Sequence, residues 1–268
     1  MRKFIIFSAI FFVMAAMLLC GCENTEQIPE GVVIALLDTG VSTTAITSEH
    51  LLTGYNYVED STDTEDKINH GTAIASVILG CESAEVAANA PEAYVIPLVV
   101  MTKQEGEIIS LGAEKLAQVI RDGVDVYHAD IINMSFGIQK DDSAIREAVE
   151  YATKQGVLVV SAVGNSGKNG DTYYPAAYAC VLAVGSCDKY GEESDFSQPG
   201  ADVLAPGEDI WLASRNGVTY GTRGTSYATG FVSAEAANML LEDESLQPQE
   251  LSEQIISYFS IQNQAVVN

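Results

Sequence analysis

Positive charge is scarce in this chain. Thirteen lysines and arginines stand against 37 aspartates and glutamates, a formal net charge of -24. A surface this acidic repels phosphate backbones and excludes a nucleic-acid partner. In its plain reading the charge serves solubility; a preference for basic peptide substrates is the sharper one. Histidine is scarcer still, with three residues, so chemistry that needs a group titrating near neutrality has few places to sit. Cysteine numbers five, and no pair has the spacing of a zinc motif, which argues against a metal site of that kind. There is no internal repeat and no long low-complexity segment. Apolar residues at 47% exclude a disordered chain, and 268 residues suit one large α/β domain with a real core.

The chain opens with a short positive segment, Arg2 and Lys3, and an apolar run over 4–19, followed by Leu19-Cys20-Gly21-Cys22. This pattern reads as an export signal. Its ending resembles the lipobox of bacterial lipoproteins, which implies a lipid on Cys22. Plain secretion and an uncleaved anchor are the alternatives, since the run is near the short limit for a span. Residues 1–22 are therefore read as signal, 23–30 as a polar tether and 31–268 as the folded domain. The expected location is the outer side of the cell membrane, or the exterior. Cys81, Cys180 and Cys187 remain. A Cys180–Cys187 disulfide and buried free thiols are both compatible with that setting.

Beyond the tether, short apolar runs alternate with helical patterns. Strands are expected over 31–38, 93–100, 130–134, 157–162 and 181–185, and helices over 70–80, 107–122, 141–155, 225–242 and 248–258. The runs are apolar on both faces, as in parallel strands covered on both sides. The alternation predicts an α/β fold, a doubly wound, mostly parallel sheet with helices on both faces. In such sheets the chemistry gathers at the carboxyl ends of the strands. Gly156 is placed to stop a helix before the next strand.

Four residues stand at such places. Asp38, in Asp38-Thr39-Gly40, ends the first strand. His70, in His70-Gly71-Thr72-Ala73, opens a helix after an acidic loop. Ser226, in Gly224-Thr225-Ser226-Tyr227-Ala228, sits among small residues ahead of a long apolar helix. Asn165 follows a strand between glycines. Alone, each has an ordinary role: a turn cap, a loop histidine, a helix N-cap, a turn residue. His50 and His128 lack a comparable setting. Together the first three supply a carboxylate, a base and a nucleophile in the order Asp, His, Ser, which is what acyl transfer needs. The Asn165 amide adds a donor for an oxyanion beside the Ser226 backbone N–H.

With Asn133-Met134-Ser135-Phe136-Gly137, Ala162-Val163-Gly164-Asn165 and Tyr174-Pro175-Ala176, these motifs resemble those of the subtilases, in order and spacing, from about residue 32 to 239. The resemblance implies a serine endopeptidase acting on a peptide or protein substrate. Ser135, Phe136 and Gly137 would form one wall of the S1 pocket and Ala162, Val163 and Gly164 the other. Tyr173 aligns with the pocket floor, which implies a shallow pocket that takes small or medium side chains. The alternative is a catalytically inactive module of the same fold that binds at the membrane; the intact residue set argues against it. An esterase or ligase activity on the same triad is a third reading.

The sequence also departs from the family. Little more than the tether separates the signal from the first strand, so no folding-assisting pro-domain is expected. The family's calcium loop is not recognisable over 80–91; no cofactor is expected, with calcium at a remnant formed by Glu82 and Glu85 as the alternative. The acidic loop over 60–66 reads as solvated. Gly230 and Phe231 stand where the family usually has Pro and His, and Ala73 and Ser76 where it often has His and Gly. These departures suggest a specialised processing enzyme.

Overall fold

The computed structural model describes residues 29–267. The signal, Cys22 and most of the tether lie outside the described residues. Among the described residues, no helix is long and apolar enough to cross a membrane.

Strand β1 (Val33–Asp38) is buried along its whole length. It is followed by the short β2 (Tyr55–Asn56), helix α1 (Gly71–Leu79), β3 (Tyr94–Val99), the hairpin of β4 (Met101–Gln104) and β5 (Glu107–Ser110), and α2 (Ala113–Asp125). Then come β6 (Ile131–Met134), α3 (Ser143–Lys154), β7 (Leu158–Ala162), β8 (Leu182–Cys187) and β9 (Val203–Pro206). A second hairpin, β10 (Ile210–Ala213) with β11 (Thr219–Thr222), precedes α4 (Thr225–Glu242) and α5 (Pro248–Val267).

Seven strands form one parallel sheet in the order β2-β3-β1-β6-β7-β8-β9. Because β1 pairs with both β3 and β6, the chain winds outward from it in two directions, the doubly wound arrangement expected. Alternate residues of β1 feed opposite cores. Ile34 and Leu36 join Ile74, Val232 and Phe259 of α1, α4 and α5, whereas Val33 and Leu37 join Ile120 of α2 and Val149 of α3. Each fully buried side chain of this size stabilises the fold by about 1.5–3 kcal/mol. Asp142 caps α3, its carboxylate accepting the Ala144 and Ile145 amides at 2.9 and 3.4 Å. Gly156 ends the same helix at φ +91°.

Two sequence expectations need correction. The helix expected over 107–122 starts only at Ala113. Glu105 and Gly106, at φ +50° and +92°, close a tight turn that pairs Gln104 with Glu107 and sets up the β4–β5 hairpin. Ile108 and Ile109, inside the range expected to be helical, are 61% and 38% exposed. The final helix, expected over 248–258, continues to Val267. Cys81, Cys180 and Cys187 are free thiols. Burial, with Asp188 beside it, pushes the Cys187 thiol up to about 11.

Candidate active site

The sheet register builds the site. Leu37 pairs with Met134 and Met134 with Ser161, so the next residues, Asp38, Ser135 and Ala162, form a row at the carboxyl ends of β1, β6 and β7. Asp38 is 2% exposed. Its Oδ1 accepts the Thr39 amide at 2.7 Å and meets His70 Nδ1 at 2.7 Å. Oδ2 is buried with no hydrogen-bond partner. A buried carboxylate short of donors favours a positive neighbour, and the imidazole is the group beside it.

His70 comes this close because of Gly71. A Cβ there would stand 2.2 Å from the Gly40 carbonyl oxygen and 3.2 Å from the Asp38 side chain, so only glycine lets the start of α1 lie against the Asp38 turn. Thr39 ties the two segments together, its hydroxyl accepting the Gly71 amide at 2.9 Å and donating to Asp66 Oδ1 at 2.9 Å. The His70 side chain is 28% exposed, with Tyr227 against it at 5.6 Å between ring centroids. Burial pulls the His70 pKa down. The Asp38 charge and hydrogen bond, with the Asp66 charge behind them, outweigh this partial desolvation, and the net shift is upward.

Asp66 corrects the reading of the acidic loop as solvated, for this aspartate is fully buried. Its carboxylate accepts hydrogen bonds from the Thr39 hydroxyl, the Ile68 and Asn69 amides, and the Thr72 amide and hydroxyl. It satisfies the donors that lead into α1 and fixes the backbone on both sides of His70. The signal available in the sequence was an aspartate four residues before the histidine.

Ser226 lies in the first turn of α4. Its Oγ donates to the Ser135 carbonyl at 2.7 Å, so in this structure its hydrogen bond goes to the residue just after β6 and not to His70. Asp38, His70, Ser226, Ser135 and Phe136 nonetheless line one cleft of about 300 Å³, with Ile68 and Met101 as its apolar sides. Beneath Ser226 runs a buried polar chain. Asn133 Nδ2 donates to Ser135 Oγ at 2.8 Å, Ser135 Oγ meets Thr229 Oγ1 at 2.5 Å, and Thr229 donates to the Ser226 carbonyl at 2.6 Å.

Asn165 Oδ1 accepts the Thr225 amide and hydroxyl at 2.9 and 3.1 Å. With the oxygen held by an N–H donor, the amide orientation is determined and Nδ2 is turned away from Thr225. That nitrogen lies 3.6 Å from where a Gly224 Cβ would be, two residues before Ser226 in the chain. Gln198, fully buried and unnoticed in the sequence, supports the Asn165 loop: its backbone N–H donates to Gly164 O at 3.1 Å and its side-chain Oε1 accepts the Ser166 backbone N–H at 3.1 Å.

The two expected pocket walls lie side by side at the ends of β6 and β7. Tyr173 closes the gap between them. A Cβ on Gly137 would stand 2.6 Å from Tyr173 Cβ, and one on Gly164 3.0 Å from its ring. The Tyr173 hydroxyl meets Ser166 Oγ at 3.1 Å on one side and accepts from Gln139 Nε2 at 3.5 Å on the other. Among the described residues, no group of three or more His, Cys, Asp or Glu side chains is arranged to hold a metal ion.

Comparison with known proteins agrees with this geometry. The profile described as "Subtilase family" matches residues 29–265. Subtilisin Savinase of Lederbergia lenta is 36% identical over 221 residues, 81% of this chain and 79% of that protein. The major intracellular serine protease of Bacillus subtilis (strain 168) is 36% identical over 233 residues, 82% of this chain and 72% of its own. The crystal structure of a cold adapted subtilisin-like serine proteinase superposes with a TM-score of 0.73 at 28% identity, covering 85% of this chain and 81% of the other.

Proposed function

Because the chain belongs to the subtilase family of serine endopeptidases, we propose that it hydrolyses peptide bonds through an acyl-enzyme formed on Ser226. His70 takes the proton of Ser226 Oγ as the oxygen attacks the peptide carbonyl, then gives it to the leaving amine. Asp38 holds the ring through Nδ1, directs Nε2 at the nucleophile and stabilises the imidazolium. Attack requires Oγ to turn from the Ser135 carbonyl toward the imidazole, a rotation about a single bond that takes picoseconds to nanoseconds. Asn165 Nδ2 and the Ser226 backbone N–H meet the developing oxyanion. Water then cleaves the ester, with His70 acting again as base and acid. The chemistry as proposed calls for no cofactor.

The observation that carries this reading is the 2.7 Å contact between Asp38 and His70 Nδ1 at the cleft that also holds Ser226. A fluorophosphonate probe is expected to label wild type on Ser226 and leave Ser226→Ala unlabelled and inactive. Folded wild type that takes no label and cuts no peptide would leave only an inactive binding module.

Tyr173, lying across the gap between the walls, supports a shallow S1 pocket for small or medium side chains. The site of action proposed is outside the cell membrane, reached by the signal in 1–22 and held there by a lipid on Cys22. Incorporation of labelled palmitate into wild type but not Cys22→Ala is expected; unlabelled protein free in the medium would remove the anchor and leave plain secretion.

A further inference from the structure

Arg223 stands three residues before the nucleophile, between the end of β11 and the start of α4, and it is exposed. Its guanidinium lies 5.5 Å from the centroid of the Phe196 ring. The Phe196 carbonyl accepts the Gly167 amide at 2.8 Å, which joins this ring to the loop that carries Asn165. Arg223 takes part in none of the ion pairs among the described residues, which are Lys67–Glu59, Arg146–Asp141, Lys154–Glu150, Lys168–Asp195 and the His70–Asp38 contact. Asp195, the acid adjacent to Phe196, is turned to Lys168 at 3.6 Å. Arg215, on the β10–β11 turn, is occupied differently, its Nη1 donating to the Asp66 carbonyl at 3.4 Å.

We propose that Arg223 recognises a carboxylate in the first two residues of the leaving-group half of the substrate. The inference rests on the acyl-enzyme reading. There the acyl half of the peptide lies along Ser135, Phe136 and Gly137, so the departing half leaves past the opposite side of Ser226, over the segment that precedes it. A guanidinium offers a planar fork of donors that matches a carboxylate, and stacking on Phe196 limits the rotamers it must give up on binding. The acidic body of the protein works the other way and draws basic peptides. At physiological ionic strength, though, exposed charges more than about 8 Å apart are largely screened, so a cation in contact outweighs the distant field.

The test uses the full chain and internally quenched peptides that differ only at the two positions after the scissile bond, Asp in one and Lys in the other. The readout is the ratio of their kcat/KM within each variant, so a general loss of activity cancels. Wild type is expected to favour Asp about five- to ten-fold, the size of an exposed ion pair gained against a like-charge pair avoided. The ratio is expected to fall near one in Arg223→Gln, to invert in Arg223→Glu, to survive in part in Arg223→Lys and to shrink with added salt. A further pair of peptides ends two residues after the bond as free acid or amide; a preference confined to that pair assigns the carboxylate to a chain terminus instead of a side chain. Equal cleavage of acid and base in both sets, or a preference that persists in Arg223→Gln, overturns the inference and leaves the peptidase reading intact. A wild type that cleaves neither peptide and takes no fluorophosphonate on Ser226 overturns both.

Discussion

Asp66 and Thr72 are joined twice: one carboxylate oxygen accepts the threonine amide at 3.0 Å and its hydroxyl at 2.7 Å. Three more donors converge on the same buried side chain, and His70 lies between the two partners in sequence. Asp66→Ala is expected to destabilise the fold by about 3 kcal/mol or more, since it strands several buried donors. Asp66→Asn keeps the shape and loses the charge, so it should cost less. In both variants kcat should fall more than KM rises, because the loss acts through the placement of His70. Urea denaturation and steady-state kinetics test this; variants as stable and active as wild type would make the network incidental.

The upward shift of His70 has two consequences of opposite sign. A base must be neutral to take a proton, so kcat/KM should rise with pH through a limb lying above the ordinary imidazole value of 6.5. Stability runs the other way. The protonated pair with Asp38 contributes fully below the unfolded-state value and is lost as pH climbs through the raised folded-state value. Asp38→Asn should move the kinetic limb to lower pH and reduce kcat by about 10⁴, the effect known for this change in serine protease triads. A limb that does not move would deny Asp38 its hold on the ring.

Asn165→Ala removes one of the two proposed oxyanion donors while the Ser226 backbone N–H remains. The loss known for such donors in subtilisin-type enzymes is about 10²–10³ in kcat, and a similar fall with little change in KM is expected here. Single-turnover acylation measured on an ester and on an amide substrate would locate the effect. A variant that raises KM and keeps kcat would assign Asn165 to ground-state binding instead.

Tyr173 touches Gly137 and Gly164 at once, and replacing it should deepen the space between the walls. Tyr173→Ala is expected to shift preference at the residue before the scissile bond from small or medium side chains toward large aromatic ones. A library varied at that position reads the change directly. Wild type that already prefers Phe or Tyr there would contradict the shallow pocket.

Much of this arrangement was legible in the sequence because the central strands are short, apolar on both faces and punctuated by glycines. Their carboxyl ends could therefore be placed to within a residue or two, and Asp38, Ser135 and Asn165 with them. What escaped notice depends on how the backbone turns, or on pairing between segments far apart in sequence. The Asp66 carboxylate looked solvated because charged neighbours surround it in the chain, yet the backbone over 68–72 turns four donors back onto it and Thr39 in the β1 turn supplies a fifth. The helix expected over 107–122 began too early, because the Glu105-Gly106 turn folds Ile108 and Ile109 into an exposed hairpin. The Ser226 hydrogen bond to Ser135 spans 91 positions and has no local signature.

The row of Asp38, Ser135 and Ala162 across adjoining strands has an evolutionary consequence. Neighbouring parallel strands keep a spacing of about 4.8 Å set by backbone hydrogen bonds, so the distances among these three positions do not depend on the connections between them. Insertions, deletions and substitutions can accumulate in those connections without changing the spacing of these three positions. One frame of this kind can thus carry the same chemistry to very different targets.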